Sequence, residues 1–170
     1  MSIYTTIDSP LGELLLVGER SAVAHGGVAL ASVSFLGAAG APQAQPQAER
    51  DDDAFAEAGR QVREYFAGER TNFDLAYASE GTAFQQKVWA AVEAIPYGST
   101  TTYGKLAEQV GAPRDRIRAV GAAIGANALL IVRPCHRVIG ANGALTGYAG
   151  GLERKQSLLA HEGALQLLPT

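Results

Sequence analysis

The sequence predicts two domains of different class. Residues 1–80 are expected to form a small α/β domain with an antiparallel sheet plus one helix, and residues 81–170 a mainly helical domain with a helix-turn-helix. Apolar residues in the first part come in short runs separated by turn residues, which is typical of strands. Beyond Thr82 they recur at helical spacing. Charge changes at the same place, from five basic and twelve acidic residues over 1–81 to nine basic and five acidic over 82–170.

Three apolar stretches predict the sheet. Residues 3–7 and 13–17 are expected to be strands, joined by a turn over residues 8–12 that is rich in turn-forming residues. Residues 28–36 form a third apolar stretch that can pair with these two. The front of the chain therefore predicts a small sheet rather than a helical bundle.

The rest of the first domain is expected to hold a loop, a helix and a last short strand. Residues 37–53 are rich in Ala, Gln, Pro and Asp and predict a loop. A helix is predicted from Ala54 to a stop at Gly68. Residues 73–77 predict the strand. The apolar face of the helix consists of Phe55, Ala58, Val62, Tyr65 and Phe66.

The second domain is predicted to open with a capped helix. Thr82 and Gln85 have the spacing of a capping box, and Pro96 marks the end of the helix. Trp89 is expected to pack in the core, because it shares one face with other apolar residues. That face consists of Phe84, Val88, Trp89, Val92 and Ile95.

Two short helices then predict the helix-turn-helix. The first follows Thr102 over residues 103–110, and the second covers about residues 114–126, with a Gly-containing turn between them. The second helix begins with Arg114, Arg116 and Arg118. Because recognition helices place their N-terminal residues against nucleic acid, this basic start favours a polyanion as partner.

Length and composition exclude several other classes. The chain has 170 residues, a formal net charge of −3 and one cysteine, so an intramolecular disulfide and a cysteine-only metal cage are both excluded. Neither a signal peptide nor an apolar stretch of membrane-spanning length is evident. We therefore expect a soluble, cytoplasmic protein that makes no membrane contact.

The single cysteine lies in an unusual setting. An isolated cysteine is by default a small buried apolar residue. Cys135, however, follows Arg133 and Pro134 and precedes His136 and Arg137. An adjacent imidazole and two guanidinium groups are expected to stabilise the thiolate, which is the reactive form. Cys135 is therefore the candidate nucleophile.

The segment around Cys135 closely resembles the active-site signature of the O6-alkylguanine-DNA alkyltransferases, also called methylated-DNA–protein-cysteine methyltransferases. Further segments resemble that family in order and spacing, so that the similarity covers residues 81–163. Residues 1–80 resemble the family's N-terminal domain only in length and in strands that precede a helix. The matching segments are residues 84–89, 95–98, 102–104, 118–121, 127, 134–138, 145–151 and 158–162.

The resemblance implies direct-reversal DNA repair. An alkyl group would pass irreversibly and once per molecule to Cys135 from O6-alkylguanine in double-stranded DNA, with O4-alkylthymine as a second candidate substrate. The expected protein is a monomer that uses no cofactor and no metal.

The resemblance also implies roles for individual residues. His136 would take the thiol proton through a water, Glu162 would orient the imidazole, and Asn127 would brace the turn and position the thiol. Tyr103 would donate a proton to the departing guanine and help to rotate its phosphate out of the duplex.

Two further groups of residues are implied. Arg118 would be the finger that fills the gap left by the flipped base. The pocket would be formed by Tyr148 and the backbones of Val138, Ala149 and Gly150. Other contacts to DNA are expected from Thr102, Tyr103, Arg114 and Arg116.

Three features depart from the family pattern. Arg133 stands where an aliphatic residue is usual, and needs a partner if it is buried. Ala128 and Leu130 replace prolines that shape the pocket in some members. The segment over residues 112–118 looks one residue longer than in relatives.

Three alternative functions remain open at this point. The first is a DNA-binding regulator that senses alkylation, and the second is a diverged member that acts on another alkylated substrate. The third, a cysteine hydrolase, is disfavoured because Cys135 and His136 are adjacent in sequence and no separate histidine lies in a convincing motif.

Overall fold

The computed structural model describes residues 2–38, 48–78, 80–112 and 116–165. These residues belong to two compact units, Met1–Ser79 and Glu80–Thr170. The first unit contains β1 (Ser2–Ile7), β2 (Leu14–Arg20), β3 (Val28–Phe35), β4 (Glu49–Arg50), α1 (Ala56–Phe66) and β5 (Ala76–Tyr77). The second contains α2 (Ala83–Glu93), β6 (Thr101–Thr102), α3 (Tyr103–Gln109), α4 (Ile117–Gly125), β7 (Val138–Ile139) and α5 (Leu152–His161).

The first unit is a five-stranded mixed sheet with one α-helix. Its centre is the antiparallel meander that the sequence predicts, with Thr5 opposite Leu16 and Leu16 opposite Val33. The short strands β4 and β5 add to the two edges in parallel, beside β1 and β3. The register shifts between Val17 and Gly18, where a Cβ on Gly18 would lie 2.6 Å from the Ala29 carbonyl oxygen. This close approach explains why glycine stands at the bulge.

The predicted elements of the first unit differ from the structure mainly at their ends. Residues 53–55 form a 3-10 turn before α1 begins at Ala56, and the last strand is reduced to Ala76–Tyr77. Within the segment predicted as a loop, residues 49–50 form β4, while residues 39–47 lie outside the described residues. The predicted face of α1 is buried apart from Phe66, which is half-buried.

The second unit is helical, as the sequence predicts. The capping box of α2 is present: the Thr82 hydroxyl accepts a hydrogen bond from the Gln85 amide at 3.1 Å, and the Gln85 side chain accepts one from the Thr82 amide at 2.9 Å. Val88, Trp89 and Val92 are buried, and α2 packs against both α3 and α4.

The helix-turn-helix stays a prediction, because residues 113–115 of its turn lie outside the described residues. The described part of its second helix, α4, begins at Ile117, and Arg116 is the N-cap residue. Hydrophobic periodicity was not used to predict the final helix, α5. None of the helices that the structure describes is long and apolar enough to cross a membrane.

Candidate active site

The segment around Cys135 is held next to the start of α3 by a short parallel strand pair. Cys135 opens the 3-10 turn Cys135–Arg137, and Val138 follows at the start of β7. Thr101 of β6 pairs with Val138 of β7. Because Thr102 ends β6 and Tyr103 begins α3, this pairing brings both residues of the predicted DNA-contacting segment close to the cysteine.

Cys135 lies in the wall of a cavity of about 190 Å³ and is 6% exposed. Four of the other predicted site residues also line this cavity: Tyr103, Asn127, Tyr148 and Ala149. The sequence analysis did not identify the remaining lining residues, which are Gly121, Ile124, Gly125, Leu130 and Gly147. All five are small or apolar, and the first three belong to α4. The wall that they form can therefore admit a flat apolar surface against the backbone of this helix.

The turn that precedes Cys135 is braced by Asn127. Its Nδ2 donates to the carbonyl oxygens of Leu129 and Arg133, at 3.3 and 3.1 Å, and its Oδ1 accepts from the Leu129 amide at 2.9 Å. Ile131 within this turn has φ 72°, the one positive φ outside glycine among the described residues. The left-handed region costs an L-residue about 1–2 kcal/mol, so the turn is strained and needs this bracing.

Arg133 is buried in the same turn, with 4% of its surface exposed. Its Nε lies 3.4 Å from Glu93 Oε1, its Nη1 lies 3.4 Å from Asn127 Oδ1, and its guanidinium lies 4.6 Å from the centre of the Trp89 ring. The partner that a buried charge requires is therefore present. Of the two positions that lack the family's prolines, Leu130 lines the cavity and Ala128 is exposed.

Burial raises the pKa of the Cys135 thiol above its ordinary value. A hydrogen bond with the Asn127 side chain and the positive charges of Lys155 and Arg133 lower the pKa, but burial outweighs them. Of the two flanking arginines expected to stabilise the thiolate, Arg133 does so, although burial has the larger effect on the pKa. The other, Arg137, binds Glu162.

Glu162 binds both residues that follow Cys135. Its Oε2 lies 2.8 Å from His136 Nε2, while Arg137 donates from Nε to Oε1 at 2.7 Å and from Nη2 to Oε2 at 3.0 Å. The remaining arm of Arg137 donates to the Ile95 carbonyl at 2.6 Å. His136, Arg137 and Glu162 are all buried, so this is an internal charge network rather than a surface ion pair.

The partners of His136 determine which ring nitrogen can accept a proton. Nε2 donates to the Glu162 carboxylate, which places the ring hydrogen on Nε2 and leaves the lone pair on Nδ1. Nδ1 has no hydrogen-bond partner within the described parts of the chain. Burial lowers the pKa of His136, although Glu162 raises it in part. The imidazole is thus neutral, and its free lone pair can take a proton.

Lys155 is a functional candidate that the sequence analysis missed. Its side chain is buried, and Nζ donates to the carbonyl oxygens of Val138, Thr146 and Gly147 at 2.6, 2.9 and 3.3 Å. Burial lowers its pKa, and the nearby Cys135 raises it. A helical-periodicity scan of α5 would have found it, because Lys155 is placed three and four residues before the buried Leu158 and Leu159.

Two tyrosines frame the cavity. The Tyr103 hydroxyl donates to the Thr146 carbonyl at 3.1 Å. The Tyr148 ring is half-buried, and its centre lies 6.4 Å from that of His136 at an interplanar angle of 81°. The loop that carries Tyr148 is therefore held by Tyr103 on one side and by Lys155 on the other.

The backbone groups expected to contact guanine have different environments. Val138 is buried and its carbonyl accepts from Lys155, while the Gly150 carbonyl accepts from Arg154 Nη1 at 3.0 Å. Neither residue lines the cavity. Ala149 does line it and is exposed.

The predicted DNA-contacting residues lie at the starts of α3 and α4. Thr102 caps α3 by accepting from the Lys105 amide at 3.1 Å. Arg116 lies with its guanidinium 5.7 Å from the centre of the Phe84 ring, and Arg118 is exposed in the first turn of α4. Arg114 lies outside the described residues. Within the described ranges, no group of three or more His, Cys, Asp or Glu side chains could hold a metal ion.

Two family models match the chain. The model described as 6-O-methylguanine DNA methyltransferase, ribonuclease-like domain, covers residues 2–78, and the model described as 6-O-methylguanine DNA methyltransferase, DNA binding domain, covers residues 83–164. Together they extend the similarity to the front of the chain, where the sequence analysis found little.

Curated relatives and solved structures agree with these matches. The chain is 49% identical to a methylated-DNA–protein-cysteine methyltransferase of Mycolicibacterium paratuberculosis, over 94% of this chain and 91% of the relative. It is 44% identical to one of Methanosarcina acetivorans, over 95% and 98%. It resembles the crystal structure of Mycobacterium tuberculosis OGT in complex with DNA with a TM-score of 0.83 and 46% identity, over 95% of this chain and 92% of that one.

Proposed function

The chain belongs to the 6-O-methylguanine DNA methyltransferase family, and on that premise we propose that Cys135 is the residue that receives the alkyl group. Its function is DNA repair by transfer of an alkyl group from methylated DNA to a cysteine, and double-stranded DNA is its partner. One observation carries the assignment: Cys135, the single cysteine of the chain, lies in the wall of the cavity.

The transfer is a single displacement at the alkyl carbon. A bond forms between the Cys135 sulfur and that carbon while the bond from carbon to guanine O6 breaks, and the electron pair of the broken bond goes to the base. The thiol proton passes to His136, and the departing guanine gains a proton at N3 from the Tyr103 hydroxyl; His136 then releases its proton to solvent, from which Tyr103 is reprotonated. In total, a proton replaces the alkyl group on guanine, and the thioether stays on the protein. Each molecule therefore reacts once.

Cys135 is a neutral thiol at rest and must be a thiolate when it reacts. A buried neutral thiol is stable at rest, because burial disfavours the thiolate. His136 offers an unprotonated Nδ1 that can take the proton through a bridging water, and Glu162 stabilises the imidazolium that results. The thiolate then forms at the moment of reaction, inside a site that stabilises it by Asn127 and Lys155.

Lys155 adds a positive charge that does not depend on the histidine. We assign it two tasks: to hold the Thr146–Gly147 backbone and the Val138 carbonyl in place, and to stabilise negative charge on the sulfur. The Val138, Ala149 and Gly150 backbones and Tyr148 would then contact the flipped guanine.

The lesion reaches Cys135 by base flipping. Unstacking a base costs about a few kcal/mol, and less for a lesion that pairs badly. Arg118 is exposed at the start of α4, where a long cation can enter the duplex and fill the gap, and Thr102, Tyr103, Arg114 and Arg116 would contact the surrounding backbone. We assign O6-alkylguanine as the substrate, with O4-alkylthymine as a second one.

The remaining proposals concern the oligomeric state, the cofactors and the location of the protein. We propose that the protein acts as a monomer. The chemistry above uses no cofactor and no metal. A free acceptor thiol is preserved in a reducing compartment, which supports a location in the cytoplasm.

The decisive experiment is a single-turnover reaction with a duplex that contains one O6-methylguanine. Intact mass spectrometry should show one added methyl group per protein molecule, and peptide mapping should locate it on Cys135. Cys135→Ala should bind the duplex and remain unmodified. A second addition of duplex should not be repaired by protein that has already reacted.

The other functions predict other results. A regulator that only senses lesions would bind the duplex without gaining mass, and a hydrolase would release product repeatedly. A diverged member would accept the alkyl group from another donor and leave the DNA lesion intact. Any of these results would contradict the proposed function.

A further inference from the structure

We propose that Arg133 is a positioning residue for alkyl transfer, which holds the turn before Cys135 and the Asn127 amide in the geometry that presents the thiol to the cavity. This inference deepens the proposed function and rests on it. It concerns a residue that the mechanism above leaves without a task. Four features of the structure support this role: the burial of Arg133, its link to Asn127, its link to α4 and the strain of the turn.

The burial of Arg133 shows that the site is built around it. A guanidinium that is 4% exposed requires partners, and it has an acidic, an amide and an aromatic one. The acidic partner, Glu93, is 37% exposed, so Arg133 is the buried member of the pair. A residue needed only for surface charge would have its head group in solvent.

The link to Asn127 connects Arg133 with the acceptor. Asn127 Oδ1 accepts from Arg133 Nη1 at 3.4 Å, while Asn127 Nδ2 donates to the Arg133 carbonyl at 3.1 Å. The cation supports the amide orientation that the Leu129 amide and the two carbonyl acceptors also require, because only the oxygen can accept from a guanidinium. The same amide lowers the pKa of the Cys135 thiol, and the Cys135 amide donates to the Arg133 carbonyl at 2.7 Å.

The link to α4 passes through Trp89. The indole ring lies under the Arg133 guanidinium, and its Nε1 donates to the Ala123 carbonyl of α4 at 2.8 Å. Helix α4 provides Gly121 and Gly125 to the cavity wall. One side chain of α2 therefore joins the turn before the thiol to a helix that lines the cavity, and Arg133 packs on it.

The strain of the turn explains why such bracing is needed. Ile131 holds a positive φ, which an L-residue keeps only when its surroundings fix it. Arg133 lies at the end of this turn, where its amide donates to the Leu129 carbonyl at 2.9 Å. Loss of the side chain is expected to loosen the turn and to displace the thiol.

The pH profile of Cys135 alkylation depends on the charged and titratable groups around the thiol. Besides Arg133, the charged or titratable residues that face it are Lys155 from α5, His136 beside it in the chain, and the cavity residues Tyr103 and Tyr148. Removal of the Arg133 charge takes away one of two cations that favour the thiolate. The alkylation profile should therefore move toward higher pH.

The test compares Arg133→Met with Arg133→Lys and with the matched control Arg70→Met. Arg70 is a partly buried arginine of the other unit, paired with Glu64. Two rates are measured at a temperature far below each Tm: transfer from an O6-methylguanine duplex, and alkylation by iodoacetamide as a function of pH.

For Arg133→Met, we expect the transfer rate to fall about tenfold or more, with the midpoint of the iodoacetamide profile about one pH unit higher. Arg133→Lys should restore the midpoint, because it keeps the charge. Its transfer rate should stay below that of the parent, since a single ammonium cannot reach Glu93 and Asn127 together. Arg70→Met should match the parent in both rates.

A purely structural role for Arg133 gives a different result. Arg133→Met would then lower the Tm and leave both the rate and the pH midpoint unchanged, which would overturn the proposal. If Arg133→Met does not fold, the result with Arg133→Lys decides: parent-like transfer overturns the proposal and reduced transfer supports it. Alkylation by iodoacetamide needs no DNA, so it tests the role of Arg133 independently of DNA repair. If the parent protein accepts no methyl group from the duplex, the proposed function is rejected, whatever the iodoacetamide rates are.

Discussion

The two units of this protein use charge in opposite ways. In the N-terminal unit, ion pairs lie at the surface: Arg60 bridges Glu57 and Glu64 at 2.6 and 2.7 Å while half of its side chain is exposed. In the C-terminal unit, His136, Arg137 and Glu162 form a network in which no side chain is more than 6% exposed. Exposed pairs are screened by water and contribute little, whereas a buried pair that loses a partner leaves an uncompensated charge.

The difference explains how a chain with a net charge of −3 can act on DNA. The acidic surface of the N-terminal unit carries no residue of the candidate site. The positive charges of the C-terminal unit divide into exposed ones such as Arg116 and Arg118, which we propose to contact DNA, and buried ones such as Arg133 and Lys155, which lie near the proposed acceptor. Average charge is therefore a poor guide to the partner of this protein.

The largest effect is expected from Glu162→Gln. It leaves the buried Arg137 guanidinium without its counter-charge, so the free energy of unfolding should fall by about 3–5 kcal/mol, as is usual when one member of a buried pair is removed. Transfer should also slow, because His136 loses the group that orients it. Urea unfolding and the single-turnover assay measure both.

The matched control for that prediction is Glu57→Gln in the N-terminal unit, where the carboxylate pairs with the exposed Arg60. Its unfolding midpoint should fall far less than that of Glu162→Gln, because an exposed ion pair contributes little. Equal destabilisation by the two substitutions would remove the contrast between the units.

Lys155→Met is expected to have the second largest effect on stability and transfer. Three carbonyl oxygens lose their shared donor, and we expect a loss of about 1–3 kcal/mol in unfolding free energy, typical of buried polar groups left unsatisfied. Transfer should slow as well, since the thiolate loses a neighbouring cation. Lys87→Met, an exposed lysine of α2, is the control and should change neither quantity.

Arg118→Ala extends the comparison to an exposed charge of the C-terminal unit. Its loss is expected to lower activity and to leave the free energy of unfolding unchanged. Transfer from a duplex should slow about tenfold or more, while transfer from free O6-methylguanine should keep the parent rate, as no gap in a base stack has to be filled. Single-turnover rates on the two substrates measure this. Equal losses on both would contradict the finger assignment.

The smallest effect is the pH dependence that Glu57 contributes. Its hydrogen bond with Arg60 lowers the pKa of Glu57 from 4.5 to about 2. Because the folded-state pKa is depressed, the stabilisation is complete above about pH 4.5 and is lost as the pH falls toward 2. Thermal unfolding of parent and Glu57→Gln over this range should converge at low pH, and added salt should reduce the difference. Parallel curves would contradict the assignment.

The elements of the fold were largely predictable, because they depend on local signals. Short apolar stretches separated by turn residues indicated β1 to β3, and the capping box of Thr82 and Gln85 indicated the start of α2. The edge strands β4 and β5 were harder to predict: they are two residues long, and their pairing is decided by the strands beside them rather than by their own sequence.

The sequence by itself also determined the acceptor, since one cysteine between proline and histidine carried both the chemistry and the family resemblance. Only the tertiary structure decided the state of that cysteine. Burial raises the pKa of Cys135 and outweighs the opposing charges of Lys155 and Arg133, of which only Arg133 is a neighbour in sequence. Glu162 is 26 residues from His136 along the chain and 2.8 Å away in the fold. Such distances, and the solvent they exclude, depend on all the packed elements at once, so no local pattern of residues can specify them.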